Sequence, residues 1–374
     1  MRTLANSLRG TLFPWQQILD SGLFDVLKPK TMLTTMKVKE NYEDSTFQSQ
    51  SVEDLFKQKE PVKMCAPMVR YSKLAFRTLV RRYDCDLTFT PMIMADSFVK
   101  STKARDNEFT TNREDRPLIV QFAANHAKDL ADAAEVVMPY ADGVDLNCGC
   151  PQRWALCDGY GAHLIKQPEL VRDMVRQTKA RVSSQDFTTS IKIRIHRNLR
   201  DTVDLCQKAE SAGVSWIAVH CRTVQDRTNP ANHDAVKLIK ESVGIPVIAN
   251  GDIKSLTDVH RVCQQTGVDG VMAARGILEN PAMFAGHAVT PIDCVQQWVD
   301  ISLSLGTPFQ YFHHHLMYMM DKVLTRAERR VFNVMTSTAG VMDYLEENYG
   351  ISCSSETPGA DRRSLLIKGK FTES

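Results

Sequence analysis

The stretch that decides the fold is "SIKIRIHRNLRDTVDLCQKAESAGVSWIAVHC", residues 190–221. It opens with strict alternation, Ile191, Ile193 and Ile195 on one face and Lys192 and Arg194 on the other, the period-two mark of a strand. Residues 200–213 then follow an amphipathic helical pattern, and 216–221 return to a short apolar run. A strand, a helix and a strand in that order form the repeating unit of a parallel sheet with crossover helices.

Working outward, the same unit recurs. Strands are predicted at "VKMCAP" (62–67), "LTFTPM" (87–92), "PLIVQFA" (117–123), "GVDLNC" (143–148), "SIKIRI" (190–195), "WIAVHC" (216–221), "PVIAN" (246–250) and "GVMAA" (270–274), with helices such as "PELVRDMVRQTKARV" (168–182) between them. Eight strands alternating with helices predict an α/β fold, a closed (β/α)8 TIM barrel over residues 56–289, in preference to an open doubly wound sheet. Beyond about residue 290 the patterns are helical only, so a small C-terminal helical domain is expected over 290–350. Its run "FHHHLMYMM" (312–320) reads as a helix packing a Met and aromatic face, in preference to a metal site. Residues 1–55 are expected to be an irregular N-terminal extension, and 351–374, rich in turn formers, a disordered tail.

The chain has 374 residues, 43% of them hydrophobic, enough for a sizeable core. No run approaches the roughly eighteen apolar residues of a membrane span, and the start "MRTLANSLRGTLFPWQQIL" lacks a secretory apolar block. An intracellular, cytoplasmic protein is expected. Arg2 and Arg9 without an acid nearby also fit a mitochondrial presequence. Ten cysteines without a repeating spacing indicate reduced thiols inside a cell. The net charge of +2 says little about partners. The basic clusters "DKVLTRAERR" (321–330) and "DRRSLLIKGK" (361–370) read first as solvated faces.

In such barrels the working site lies at the C-terminal ends of the strands. With the isoleucines of 190–195 facing the helices, Lys192 and Arg194 point inward, and a buried ammonium needs a partner, an Asp or an electron-rich ligand. The seventh strand ends in "NGDI" (250–253) and the eighth in "ARG" (274–276). Loops at those positions commonly hold a phosphate; Gly251 and Gly276 would permit its close approach and Arg275 would add a bidentate contact. His220 closes the sixth strand as a candidate ligand contact. In "VDLNCGCPQRWALCDGYGAHL" (144–164) the alternation of Val144 and Leu146 with Asp145 and Asn147 stops at Gly149, so Cys150 follows a strand end and is held against Pro151. A phosphate, an electron-rich ring over Lys192 and a thiol across the mouth suggest flavin mononucleotide, FMN, whose reduced form a lysine would stabilise.

These motifs carry a resemblance. Over about residues 61–350 the chain resembles the flavin-dependent tRNA-dihydrouridine synthases, nearest to the eukaryotic branch acting on D-loop positions 20a and 20b. The Asn-x-Gly-Cys-Pro core at 147–151 with its spaced glycine is the specific signature, and "CAPMVRYSKLAFR", "IVQFAAN", "IKIRIH", "VHCRT", "IANGDI" and "DGVMAARG" appear in the family's order. Cys221 departs from it, standing where the family commonly has Gly. The resemblance implies reduction of the uracil C5–C6 bond, with hydride delivered from flavin to C6 and a proton from Cys150 to C5. An ordinary thiol is protonated at neutral pH and can act as this general acid.

The resemblance further implies that Pro67, Met68, Gln121, Lys192, His220, Asn250, Gly251, Asp252, Arg275 and Gly276 surround the FMN, with Asn147 and Arg194 near the flavin and the target uracil. NADPH or NADH would be the reductant. The partner would be the D loop of tRNA, its backbone held by Lys100, Lys103, Arg105 and the basic stretch 322–330 of the helical domain. Cys148 reads as a buried strand-end residue. No metal is expected, since Cys148, Cys150, Cys157 and His163 lack the spacing of a zinc knuckle. A monomer without a membrane association is expected. Two other readings remain open: an aldolase-like barrel forming a Schiff base on Lys192, and a non-catalytic tRNA-binding barrel.

Overall fold

The computed structural model describes residues 51–182, 184–226 and 228–353. The expectations for residues 1–50 and for the tail beyond 353 lie outside them.

Nine strands are present among the described residues: β1 (Val62–Cys65), β2 (Leu87–Phe89), β3 (Ile93–Met94), β4 (Leu118–Ala123), β5 (Gly143–Cys148), β6 (Thr188–Arg194), β7 (Trp216–His220), β8 (Val247–Asn250) and β9 (Gly270–Ala273). Every pairing is parallel. β1 pairs with both β2 and β9, and β2 with β4, so the sheet closes on itself. β3 extends the second stave, pairing Ile93 with Phe122 of β4. The predicted strand 87–92 is therefore split at Thr90–Met92. Pro91 has no N–H to offer a ladder, and Thr90 Oγ1 instead accepts the N–H of Gln121 at 3.1 Å. The barrel is an eight-stave (β/α)8 barrel with one interrupted stave.

Alternation sorts the side chains between two cores. Ile191, Ile193 and Ile195 join the large cluster between barrel and helices, with Leu205 and Val219. Met64, Phe89, Ile119, Trp216, Ala218, Ile248 and Met272 form a second cluster inside the barrel. That inner cluster is closed from below by the helix Val52–Leu55, whose cap Ser51 accepts the N–H of Asp54 at 3.1 Å. The expectation of irregular chain up to residue 55 is corrected here. Val52 and Leu55 are buried against the barrel floor and Phe56 lies 6.1 Å from the Trp216 ring. Burying each such side chain stabilises by about 1.5–3 kcal/mol, which favours order over an irregular segment.

After β9 the described chain is helical: Ile292–Ser304, Phe309–Met319, Arg326–Phe332 and Thr338–Tyr349 follow. The first packs on helix Leu74–Arg81, which follows β1. Trp298 donates to the Phe312 carbonyl at 3.1 Å, and His315 stacks on Phe76 with centroids 4.4 Å apart. The His-rich run is thus a packing helix, with His313 bonded to the carbonyl of Phe332. Among the described residues no helix is long and apolar enough to cross a membrane.

Candidate active site

The alternation of β5 turns Val144 and Leu146 outward and Asp145 and Asn147 inward. The Asp145 carboxylate accepts from Ser190 Oγ and from Gln121 Nε2, both at 2.8 Å. A carboxylate only accepts, so Gln121 presents its NH2 to it and its carbonyl to Asn147 Nδ2 at 2.8 Å. That leaves Asn147 Oδ1 to accept the N–H groups of Gly149 at 3.1 Å and Cys150 at 2.9 Å. A buried chain of hydrogen bonds thus runs from Asp145 to the turn carrying Cys150. Burial pushes the Asp145 carboxyl up to about 6, against the hydrogen bonds from Gln121 and Ser190.

The glycines downstream press on the same turn. Gly161 has φ of +60°, and a Cβ there would fall 2.8 Å from Cβ of Cys150. Ala162 N–H donates to the Cys150 carbonyl at 3.0 Å, and Arg194 Nε to the Gly149 carbonyl at 2.9 Å. Cys150 itself stays partly exposed at the barrel mouth. Cys148 faces the helix layer, fully buried, and burial drives its thiol well above the ordinary range.

Lys192 donates to Asn250 Oδ1 at 3.0 Å, and Asn250 Nδ2 donates to the Met272 carbonyl at 2.8 Å. Burial pulls the ammonium down to about 8, while the field of Asp145 opposes that and Arg194 adds to it. The partner of the half-buried lysine is therefore an amide at bonding distance, with a carboxylate further off. His220, on β7 beside Asn250, is pushed down to about 2 by burial and by Lys192, Arg194 and Arg222, so its ring is neutral.

A cavity of about 360 Å³ opens at this end of the barrel. Of the expected residues, Arg194, His220, Asn250, Gly251, Asp252, Arg275 and Gly276 line it. Lys192, Gln121 and Asn147 do not line it; Lys192 is tied to its wall through Asn250, and Gln121 and Asn147 lead through hydrogen bonds to the Cys150 turn. Pro67 and Met68 follow β1 at the same end without lining the cavity, and Cys150 adjoins its wall residue Pro151.

Several wall residues were missed by sequence reasoning, above all Arg222. It is buried, donates twice to Asp252 at 2.7 Å and also bonds the Asn229 carbonyl. It stands two residues past the end of β7, inside the "VHCRT" motif from which only His220 was singled out. Asp252, in a left-handed conformation at φ +55°, is thereby occupied by an arginine and the Ala231 N–H at 2.8 Å. Gly276 carries a packing constraint besides its place in the cavity wall. A Cβ there would fall 2.3 Å from the Ile253 carbonyl oxygen, so this glycine lets helix Arg275–Glu279 pack on the loop after β8. Gly251, at φ +131°, is required by its own backbone. Arg105, expected on an RNA surface, donates to the Phe98 and Val99 carbonyls at the end of helix Ala95–Lys100. Among the described residues no three His, Cys, Asp or Glu side chains converge as metal ligands.

With this geometry in hand, comparison with known proteins is specific. Residues 64–349 match the family described as dihydrouridine synthase (Dus), nearly the span 61–350 expected from the motifs. A mouse protein named tRNA-dihydrouridine(20a/20b) synthase [NAD(P)+]-like is 64% identical over 297 residues, covering 79% of this chain and 92% of that protein. The human protein of the same name is 62% identical, covering 80% and 94%. A fission yeast (Schizosaccharomyces pombe) tRNA-dihydrouridine(20a/20b) synthase [NAD(P)+] is 45% identical, covering 79% and 90%. The match spans the barrel, the Cys150 turn and the helices after β9, and this chain belongs to the dihydrouridine synthase family.

Proposed function

We propose that the chain reduces uridine at D-loop positions 20a and 20b of tRNA to dihydrouridine, using FMN reduced by NADPH or NADH. The observation that carries this reading is the barrel-mouth cavity, with Arg222, Arg275 and the Gly251 turn on one side, Lys192 behind Asn250, and Cys150 beside it.

The residues present fit the cofactor. A phosphate suits the guanidinium of Arg275 and the tight turn at Gly251, and the wall contains no acid except Asp252, already paired with Arg222. Lys192 spends one N–H on Asn250 and keeps donors for an electron-rich ring. When bound, FMN supplies hydride transfer, which no side chain of this set can perform.

The protein's own residues hold and protonate. Lys192 favours negative charge above β6, and neutral His220 contributes a hydrogen bond. Asn147 and Gly161 hold the turn from which Cys150 Sγ delivers a proton to C5 of the base. Arg194 fixes that turn to the loop after β7 through the Gly149 and Thr223 carbonyls, both at 2.9 Å. A uridine inside folded tRNA must leave its stack to reach this depth, so a second surface must hold the backbone. Lys100, Lys103, Arg326 and Arg330, all exposed, supply cations for it. The chain acts as a monomer in the cell interior, in the cytoplasm. The family match and the amide-bonded Lys192 support the reductase over a Schiff-base enzyme or a non-catalytic barrel.

The test is a visible spectrum of the purified protein, NADPH titration, and mass spectrometry of unmodified tRNA after incubation. A flavin spectrum bleached by NADPH and dihydrouridine at 20a or 20b is expected. A colourless protein whose Lys192 is trapped by borohydride with a carbonyl substrate would overturn the reading.

A further inference from the structure

The cavity at the barrel mouth carries more cation than its expected ligands use. Arg194, Arg222, Lys254 and Arg275 line it against a single acid, Asp252. The four are not equivalent. Arg275 has a side chain 68% exposed and stands 3.9 Å from Asp252, and Lys254 is exposed as well, so water screens both. Arg194 is engaged with the carbonyls of Gly149 and Thr223. Arg222 alone of the four is buried, its side chain 5% exposed.

The nitrogens of that buried guanidinium are used unevenly. Nε donates to the Asn229 carbonyl, and Nη2 donates to both oxygens of Asp252 at 2.7 Å. Asp252 is itself held by the Ala231 N–H at 2.8 Å, so the plane of the guanidinium is fixed from two sides. Nη1 has no hydrogen-bond partner among the described residues. It lies over the Gly251 turn, where a Cβ on Gly251 would come within 3.4 Å of it. Gly251 and Arg222 both line the cavity, and the glycine leaves Nη1 uncovered there. A guanidinium already locked in place loses little freedom when it binds, and its free edge matches an anionic oxygen better than a hydroxyl.

We propose that Arg222 is the residue by which this site selects a phosphorylated flavin over the unphosphorylated one. Nη1 donates to the phosphate, the Asp252 carboxylate acts through Arg222 as a positioning group, and exposed Arg275 contributes the smaller share. The assignment rests on the proposed use of FMN. A role limited to tying the loop after β7 to the loop after β8 would need Nε and Nη2 alone, and its loss would weaken both flavins equally.

The experiment titrates the full-length protein, freed of its flavin, with FMN and with riboflavin, and follows the quenching of flavin fluorescence. Wild type should bind FMN about 10–100-fold more tightly than riboflavin. Arg222→Lys keeps a cation beside Asp252 but has no second N–H edge to offer. Its FMN affinity should fall about tenfold or more with riboflavin affinity held, whereas Arg275→Gln should keep most of the preference. Arg222→Met/Asp252→Asn, which leaves no carboxylate unpaired, gives the same comparison should the lysine variant fail to fold, as read by its melting curve. A wild-type preference for FMN that survives in a folded Arg222 variant, an equal loss of both flavins, or a larger loss in Arg275→Gln would each overturn the assignment. A wild-type protein that takes up neither flavin would overturn the proposed cofactor and this role with it, and that result is read before any variant is made.

Discussion

Gly161 and Cys150 are in backbone contact: at φ +60°, a Cβ on Gly161 would lie 2.8 Å from Cβ of Cys150 and 2.7 Å from its carbonyl oxygen. The spaced glycine of the signature thus seats the thiol. Gly161→Ala should cost about 1–3 kcal/mol through the left-handed backbone and the clash. Dihydrouridine formation should fall further than flavin content, because the displaced atom belongs to Cys150. Thermal melts and product mass spectrometry on one preparation check this, and unchanged turnover would refute it.

Cys150→Ala should bind flavin and tRNA and consume NADPH in a single reductive half-reaction, while dihydrouridine forms about 10²–10⁴-fold more slowly. Cys148→Ala, in the outer core, should lose on the order of 1 kcal/mol of stability and keep its turnover. A normal product yield from Cys150→Ala beside a folded, inactive Cys148→Ala would exchange their roles.

Asp145, buried, and Lys192, half-buried, set opposite pH slopes inside the barrel of the flavin-free protein. Burial raises the Asp145 carboxyl from its ordinary 3.8 to about 6, so the folded state holds the extra proton and this group's contribution, full below 3.8, is lost as pH rises through about 6. Burial lowers the Lys192 ammonium from its ordinary 10.5 to about 8, so its contribution is present above 10.5 and is lost as pH falls through about 8. Asp145→Asn should flatten the acid slope with turnover largely kept, since its Oδ1 can still accept from Gln121 Nε2 while its Nδ2 donates to Ser190 Oγ, whose hydrogen can turn to the Val144 carbonyl. Lys192→Met should flatten the alkaline slope and lose flavin or slow its reduction. Melting curves across pH, with flavin counted by absorbance, decide both.

On the helical region the four cations of 322–330 are unequal. Arg329 bonds Asp321 at 3.1 Å and Lys322 lies 3.8 Å from Glu279, whereas Arg326 and Arg330 are exposed without an ion pair among the described residues. Replacing all four with Gln should weaken tRNA binding and flatten its salt dependence, with NADPH oxidation intact. Arg326→Gln/Arg330→Gln should account for most of that loss. Wild-type affinity at every salt concentration would remove this surface from the account.

Much of this protein is written in residue order. Strict alternation in 190–195 put the isoleucines outward and Lys192 and Arg194 inward, because a strand can place successive side chains only on opposite faces. Eight such runs between helical segments specified the barrel, and barrel closure put Cys150, His220, Asn250 and Arg275 on one rim. What alternation cannot state is which inward groups meet. The pairing of Arg222 with Asp252, the route from Asp145 through Gln121 and Asn147 to Cys150, and the amide over Lys192 join residues on different staves. The split at Pro91 and the plug at Val52–Leu55 likewise follow from a missing donor and an open barrel floor. Side-chain direction is local and therefore legible in the sequence; hydrogen-bond partnership and the sharing of one buried volume depend on the register of closure, which exists only once the barrel has formed.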